Sequence, residues 1–341
     1  MLAEQRLAAG GAQRSPDPAR NTERVFSLSL SLPLVLAIDI GGTKMACAVV
    51  DAAGELLASV QIGTPRSLDG EVLFEALVRA CRNLVLKYPL ASMKAVGVGC
   101  GGPMRYPSGV VSPVNIPAWR DFPLRDRLIN AFELPTVVDN DAKALAVGER
   151  WRGAGQSSDN LLGMVVSTGV GGGIILDGQL LHGEAGNAGH VGHIIVWPNG
   201  PPCGCGAFGC VEGIASGSGL ARRLAAAIGE GQPTSLKSGA SAAEIAVAAR
   251  EGDQLAKELF RTAGEAVGRG IASAAALLDL ERVVIGGSIA LHAWDLLGPP
   301  LKTELRVSAR LDFTRDVHVA RTQLGDRAGL FGAARLALTL L

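Results

Sequence analysis

Two stretches of this chain run strand, glycine turn, strand. In the first, Leu34–Ile40 passes Asp39, turns through Gly41-Gly42-Thr43-Lys44 and returns as Met45–Asp51. In the second, Leu161–Ser167 enters Thr168-Gly169-Val170-Gly171-Gly172-Gly173 and returns as Ile174–Leu176. Glycine takes the Cβ out of a turn, so backbone N–H groups can approach a phosphate oxygen. Two such openings predict a duplicated α/β unit whose turns face each other across a cleft and clamp a polyphosphate. In the first turn Thr43 adds a hydroxyl and Lys44 an ammonium, and Asp39 can hold magnesium directly or through water. The Gly-Lys-Ser/Thr and Gly-x-Gly-x-x-Gly patterns are both absent from this first turn, so it is neither a Walker loop nor a Rossmann fingerprint. A third glycine pair, Gly286-Gly287, caps the strand Arg282–Ile285 and can admit an adenine ring close to the backbone. No short tandem repeat is visible, so the chain is not a solenoid.

The remaining pattern fits the same unit. Ala52-Ala53-Gly54 turns into a strand over Leu56–Gln61, and Ala95–Cys100 and Thr136–Val138 are further strands. Apolar periodicity predicts helices over Glu71–Lys87, Ala142–Trp151, Leu220–Ile228, Ser241–Glu251, Gln254–Leu278 and Ala328–Leu340. The 341 residues suffice for two domains, and 48% hydrophobic against 19% charged residues allows a substantial core. Lys and Arg number 32, as do Asp and Glu, so no basic excess points to a nucleic-acid partner. No run of eighteen or more uncharged apolar residues predicts a transmembrane helix. Residues 1–33 are expected to be a disordered extension. Their apolar stretch, Val25–Pro33, runs straight into the first strand without a signal-type cleavage site.

Two of five histidines and three of six cysteines fall between Gly186 and Ser216. His193, Cys203, Cys205 and Cys210 supply one imidazole and three thiolates, a complete tetrahedral set for zinc. Four protein ligands leave no open position, so such a site is structural. Gly204, Gly206 and Gly209 let the short loop turn its thiolates inward. Cys47, Cys81 and Cys100 stand in apolar surroundings as small core residues. This cysteine usage suits a reducing cytoplasm.

Asp139-Asn140-Asp141 lies at the end of a strand and the start of a helix. Phosphoryl transfer to a hydroxyl needs positioning, charge stabilisation and a base for the hydroxyl proton, and a carboxylate placed there can be that base. A carboxylate there also suits a helix N-cap, a role open to Asp141 and at least as well to Asp139.

The cysteine cluster followed by Cys-Val-Glu resembles the zinc signature of the ROK family of sugar kinases and sugar-responsive repressors. The three glycine sites resemble the phosphate-1, phosphate-2 and adenosine segments of the actin-like ATPase superfamily. The resemblance spans residues 34 to 341. It implies an actin-like ATPase (ribonuclease H-like) α/β fold, with domains over 34–141 and 142–341 around a cleft and the last helix packing back on the first domain. It assigns ATP and Mg2+ to Asp39, Gly41, Gly42, Thr43, Lys44, Thr168, Gly169, Gly171, Gly286 and Gly287, with Lys44 and Arg105 available to phosphoryl charge. Asp141 becomes the base, and Asn140, Asn115, Glu212 and the metal-bound His193 become sugar ligands. Where family glucokinases have glutamate, this chain has His190. A carboxylate only accepts hydrogen bonds, whereas neutral imidazole accepts one and donates one and can also face an acetamido carbonyl. The implied activity is transfer of the ATP γ-phosphate to the 6-hydroxyl of a hexose, glucose first and N-acetylmannosamine second. The resemblance further implies a homodimer. A repressor would need a helix-turn-helix segment, and residues 1–33, with Pro16, Pro18 and Pro33, show no amphipathic helix pair. A protein that only binds sugar would have lost Asp39 or Asp141, and both are present.

Overall fold

A computed structural model describes residues 32–88 and 92–341. The expected disordered extension therefore lies outside the described residues, apart from its last two.

The first sheet contains β1 (Leu34–Ile40), β2 (Lys44–Asp51), β3 (Leu56–Gly63), β4 (Met93–Cys100) and, after a small hairpin of β5 (Met104–Arg105) and β6 (Val110–Val111), β7 (Thr136–Asn140). Their order is β3-β2-β1-β4-β7. The pairings from β3 to β1 are antiparallel, and those from β1 through β4 to β7 are parallel. The second sheet contains β8 (Leu161–Val166), β9 (Val170–Leu176), β10 (Gln179–Leu180), β11 (Arg282–Gly286) and β12 (His318–Arg321), in the order β10-β9-β8-β11-β12. Its pairings run in the same sense at each step. Both predicted openings are thus the same structural unit, each turn joining the two central antiparallel strands.

Strand β1 is apolar on both sides because both faces of its sheet are covered. Leu36 and Ile38 pack with Leu73, Leu77 and Cys81 of helix α1 (Gly70–Val85). Val35 and Ala37, on the opposite face, pack with Ala333, Ala334 and Ala337 of the helix Ala328–Leu338. That helix approaches so closely that a Cβ at Gly97 would lie 1.9 Å from the Ala333 carbonyl oxygen.

After helix α2 (Leu124–Phe132), helix α3 (Asp141–Arg152) connects the two sheets. It starts one residue earlier than the periodicity predicts, and its cap is neither aspartate. The Asn140 side chain accepts the Ala142 amide at 3.0 Å. Asp139 is fully buried one residue before the cap. The second sheet is covered by α4 (Val211–Ala215), α5 (Gly217–Gly229), α6 (Ala242–Glu251), α7 (Gln254–Leu278), α8 (Ser288–His292) and α9 (Trp294–Ser308), before the closing helix α10 (Ala328–Leu338). Helices α7 and α9 pack backbone to backbone at Gly264 and Gly268, where a Cβ would lie 2.6 and 2.7 Å from the carbonyl oxygens of Leu297 and Leu301.

Among the described residues, no helix is long and apolar enough to cross a membrane.

Candidate active site

The carboxyl ends of the parallel strands β1, β4 and β7 carry the first group of expected residues, the usual ligand-binding edge of an α/β sheet. Asp39 near the end of β1 and Asp141 just beyond β7 flank Gly99 of β4. A Cβ there would lie 3.7 Å from both the Asp39 Oδ1 and the Asp141 Cα. Gly99 also lets α3 pack on the strand, since a Cβ there would lie 3.0 Å from that of Ala144, and a Cβ at Gly101 would lie 4.0 Å from Asp141 Oδ2. Gly102 brings the Asn140 amide into the same edge, 3.3 Å from where its Cβ would be.

Burial pushes both carboxyls up. Asp39 rises from an ordinary 3.8 to about 7, because it is desolvated and because Asp141 and Asp326 add negative charge, against a lowering by Lys44. Asp141 is raised chiefly by desolvation, while the backbone amide of Ala142 and the nearby His190 work against the rise. Two carboxylates that repel each other beside a cleft suit a divalent cation at one and a proton acceptor at the other.

The first glycine turn meets the same edge. A Cβ at Gly42 would lie 2.6 Å from that of Asn115, so the loop carrying Asn115 lies directly against the turn. Gly41 bonds back to the Lys44 carbonyl at 2.9 Å, which closes the turn. Thr43 is exposed, and Lys44 points toward Asp326, Nζ to Oδ2 3.8 Å. Arg105 pairs instead with Asp121 on the surface.

In the second turn Thr168 is exposed, and Val170 donates its amide to Glu212 Oε2 at 2.9 Å. Gly169 lies beside that carboxylate, and Gly171 packs against Ala142 of α3. Gly286 and Gly287 are both used within the chain. Cβ atoms there would lie 2.5 Å from Leu145 and 2.6 Å from the Val166 carbonyl oxygen, and Gly287 has φ +90°.

The histidines expected to contact sugar lie on the segment after β10. His190 is exposed, and its Nδ1 lies 2.8 Å from the Asn187 carbonyl oxygen. The contact makes Nδ1 the donor, so Nε2 of the neutral ring is left as an acceptor. His193 stands beside it, the ring centroids 6.2 Å apart. The donor atoms of His193, Cys203, Cys205 and Cys210 all lie within 4.8 Å of one another. His193 Nδ1 is 3.7 Å from Cys203 Sγ, and Cys205 Sγ is 3.9 Å from Cys210 Sγ. Ligands at ordinary zinc distances on a tetrahedron stand about 3.6–3.8 Å apart, so the four residues fit such an ion. With Nδ1 on the cluster side, Nε2 is the ring nitrogen that the cluster does not use.

Sequence reasoning missed a set of residues immediately behind this site. Lys143 is 1% exposed, lies 3.5 Å from Asp139 and donates to the Gly186 carbonyl at 2.9 Å. His182 lies 3.3 Å from Asp139, and its ring stacks on Tyr106 at 4.1 Å. The only sequence sign was the four-residue spacing of Asp139 and Lys143 across the helix start.

The ROK family model matches residues 35–339. A glucokinase of Halalkalibacterium halodurans is 34% identical over 311 residues, covering 88% of this chain and 94% of its own. An N-acetylmannosamine kinase of Yersinia pseudotuberculosis is 40% identical over 258 residues, covering 75% of this chain and 83% of its own. Among solved structures, a ROK family glucokinase from Streptomyces griseus in complex with glucose and AMPPNP superposes with a TM-score of 0.76 at 35% identity, over 90% of this chain and 99% of that one. Paired five-stranded sheets of one topology, a glycine turn joining the central strands of each and a family match over nearly the whole described length lead to one conclusion: this chain belongs to the ROK family and has the actin-like ATPase fold.

Proposed function

We propose that this protein is an ATP-dependent hexose kinase, transferring the γ-phosphate to a 6-hydroxyl. The carrying observation is the placement of Asp39 and Asp141 on either side of Gly99 at the carboxyl edge of the first sheet. Asp141 takes the hydroxyl proton. Asp39 holds the magnesium of Mg-ATP, which neutralises phosphate charge when bound. Gly41, Gly42, Thr43 and Lys44 and, from the other sheet, Thr168, Gly169 and Gly171 receive the phosphates, with the adenosine toward Gly286 and Gly287. Because both of those glycines are packed inside the chain, their contribution is a backbone edge and not an open floor.

Asn115, Asn140, His190, His193 and Glu212 face or support the sugar. Glu212 already accepts the Val170 amide, so in this reading it also links the sugar wall to the second phosphate turn. Zinc on His193, Cys203, Cys205 and Cys210 fixes the wall and leaves His193 Nε2 for a sugar hydroxyl. The domain limits are 34–141 and 142–341, and the assembly is a homodimer; the family resemblance supports both.

Glucose is the first substrate. With Nδ1 engaged by Asn187, His190 offers an acceptor, the role a glutamate carboxylate would fill. A neutral His190 in this orientation suits an acetamido N–H and not its carbonyl. N-acetylmannosamine remains the second reading, supported by the 40% identity to a kinase named for that sugar. The test is ADP release from Mg-ATP with each sugar at matched concentration. Preference for glucose supports the first reading, preference for the acetylated sugar the second, and turnover with no hexose overturns both.

A further inference from the structure

The segment that presents His190 and His193 belongs to the second sheet, yet its base is fastened to the end of the first. Asp139 is the last buried residue of β7 before the Asn140-Asp141 pair, and it is fully enclosed. Lys143, one helical turn on, pairs with Asp139 Oδ1 at 3.5 Å and donates to the Gly186 carbonyl at 2.9 Å. On the other side, His182 Nδ1 lies 3.3 Å from Asp139 Oδ2. Neither of these two atoms has a hydrogen-bond partner among the described residues, although both are buried. The His182 ring lies over Tyr106, from the small hairpin that follows β4. His182 also holds the far end of its own loop, its carbonyl accepting the Ala188 amide at 2.9 Å. Gly186, on which Lys143 acts, is buried against Tyr106 and has φ +79°, so its carbonyl has little freedom to turn elsewhere.

We propose that His182 and Lys143 are positioning residues that clamp the 182–193 loop to the strand end bearing Asn140 and Asp141, with the buried Asp139 carboxylate as their common anchor. They touch no reacting atom. Their effect is to set the distance between the base on one half and the sugar-reading histidines on the other. The facing pair of unpartnered atoms is the adjustable part. At 3.3 Å the two atoms are already within reach, so a small reorientation of the ring with its loop gives His182 Nδ1–H an acceptor in Asp139 Oδ2 and satisfies two buried groups together. Sugar in the cleft contacts both sides of this junction, so the same movement accompanies its binding. The proposal rests on the hexose-kinase reading for its kinetic consequence and on the geometry alone for its structural one.

Two substitutions at the half-buried His182 separate its two contacts. His182→Phe keeps a ring over Tyr106 and removes the donor. His182→Gln keeps a donor and removes the ring. Loss of the donor is expected to raise the sugar KM about tenfold in His182→Phe, while His182→Gln stays within about threefold, with ATP KM little changed in either. Backbone amide exchange over residues 183–193, measured without sugar, should be faster in Lys143→Met than in wild type, because the bond to the Gly186 carbonyl is lost, while β8 and β11 keep their protection. Equal sugar KM in His182→Phe and wild type, or unchanged exchange in the loop, would overturn the clamp. Wild type inactive on every hexose would sink the kinase reading and leave the exchange result to decide the clamp.

Discussion

Glu212 reaches out of the cysteine segment to accept the Val170 amide at 2.9 Å, and its other oxygen lies 3.9 Å from Cys203 Sγ. One carboxylate thus spans the metal-type cluster and the turn expected to hold phosphate. Glu212→Ala is expected to raise KM for both sugar and ATP by about tenfold, because it frees the turn as well as the wall. Glu212→Gln keeps an acceptor for Val170 and should recover most of the ATP term. Steady-state kinetics with each substrate varied in turn distinguish the two patterns, and an effect on sugar alone would detach Glu212 from the phosphate turn.

Asp141→Asn preserves size and removes the carboxylate proposed as the base. Turnover should fall by about two orders of magnitude or more, with sugar affinity by calorimetry within a few-fold of wild type. Because burial raises the Asp141 carboxyl, the wild-type rate should be lost, on acidification, at a higher pH than an ordinary aspartate would give. Near-normal turnover in the variant would remove Asp141 from the base role.

Asp39 carries a stability signature with a definite sign. Its carboxyl rises from 3.8 to about 7 on folding, so between these values the folded state binds more protons than the unfolded. Its contribution is present at low pH and is lost as pH rises through that window. Asp39→Asn should therefore stabilise nucleotide-free protein at pH 8 more than at pH 5, by urea midpoint, while turnover with Mg-ATP collapses. An equal shift at both pH values would mean that Asp39 is not the desolvated group.

The metal reading predicts one zinc per chain by atomic absorption. Cys205 is the exposed ligand, and Cys205→Ser should lose the ion to a mild chelator well before wild type does. Wild type stripped of metal should show a raised sugar KM. Full activity without metal would separate the cluster from the sugar wall.

Glu149 is a buried carboxylate on α3 that accepts the Ala154 amide at 2.7 Å, the Leu324 amide at 3.1 Å and the Thr322 hydroxyl. It ties the connecting helix to the turns on both of its sides. Glu149→Leu strands these donors and should cost about 3 kcal/mol or more of stability. Thermal unfolding within a degree or two of wild type would refute that role.

Much of this was legible because the relevant signals are local. Glycines between apolar runs located both turns, the helix Gln254–Leu278 was predicted to the residue, and cysteine spacing marked the metal-type cluster. Helix α9 was not legible, since Pro299 and Pro300 read as breakers. The ring of Pro300 finds room at Gly264 of α7, where a Cβ would lie 2.6 Å from Pro300 Cγ. The cap was misread for a similar reason. Asp139 looks like a cap until the fold buries it against Lys143 and His182, residues brought there only by tertiary structure. Tyr106 had no sequence mark at all.

The first sheet receives its second cover from Ala328–Leu338, a helix synthesised only after the entire second sheet. A nascent chain therefore leaves the ribosome with Val35, Ala37 and Val50 bare on one side until residues 328–338 have followed the second sheet. The opening half cannot mature as an independent unit, and a prematurely stopped chain carries a greasy, unfinished surface that chaperones and proteases can recognise. The first sheet is finished only when the second has already been made, so the two halves mature together.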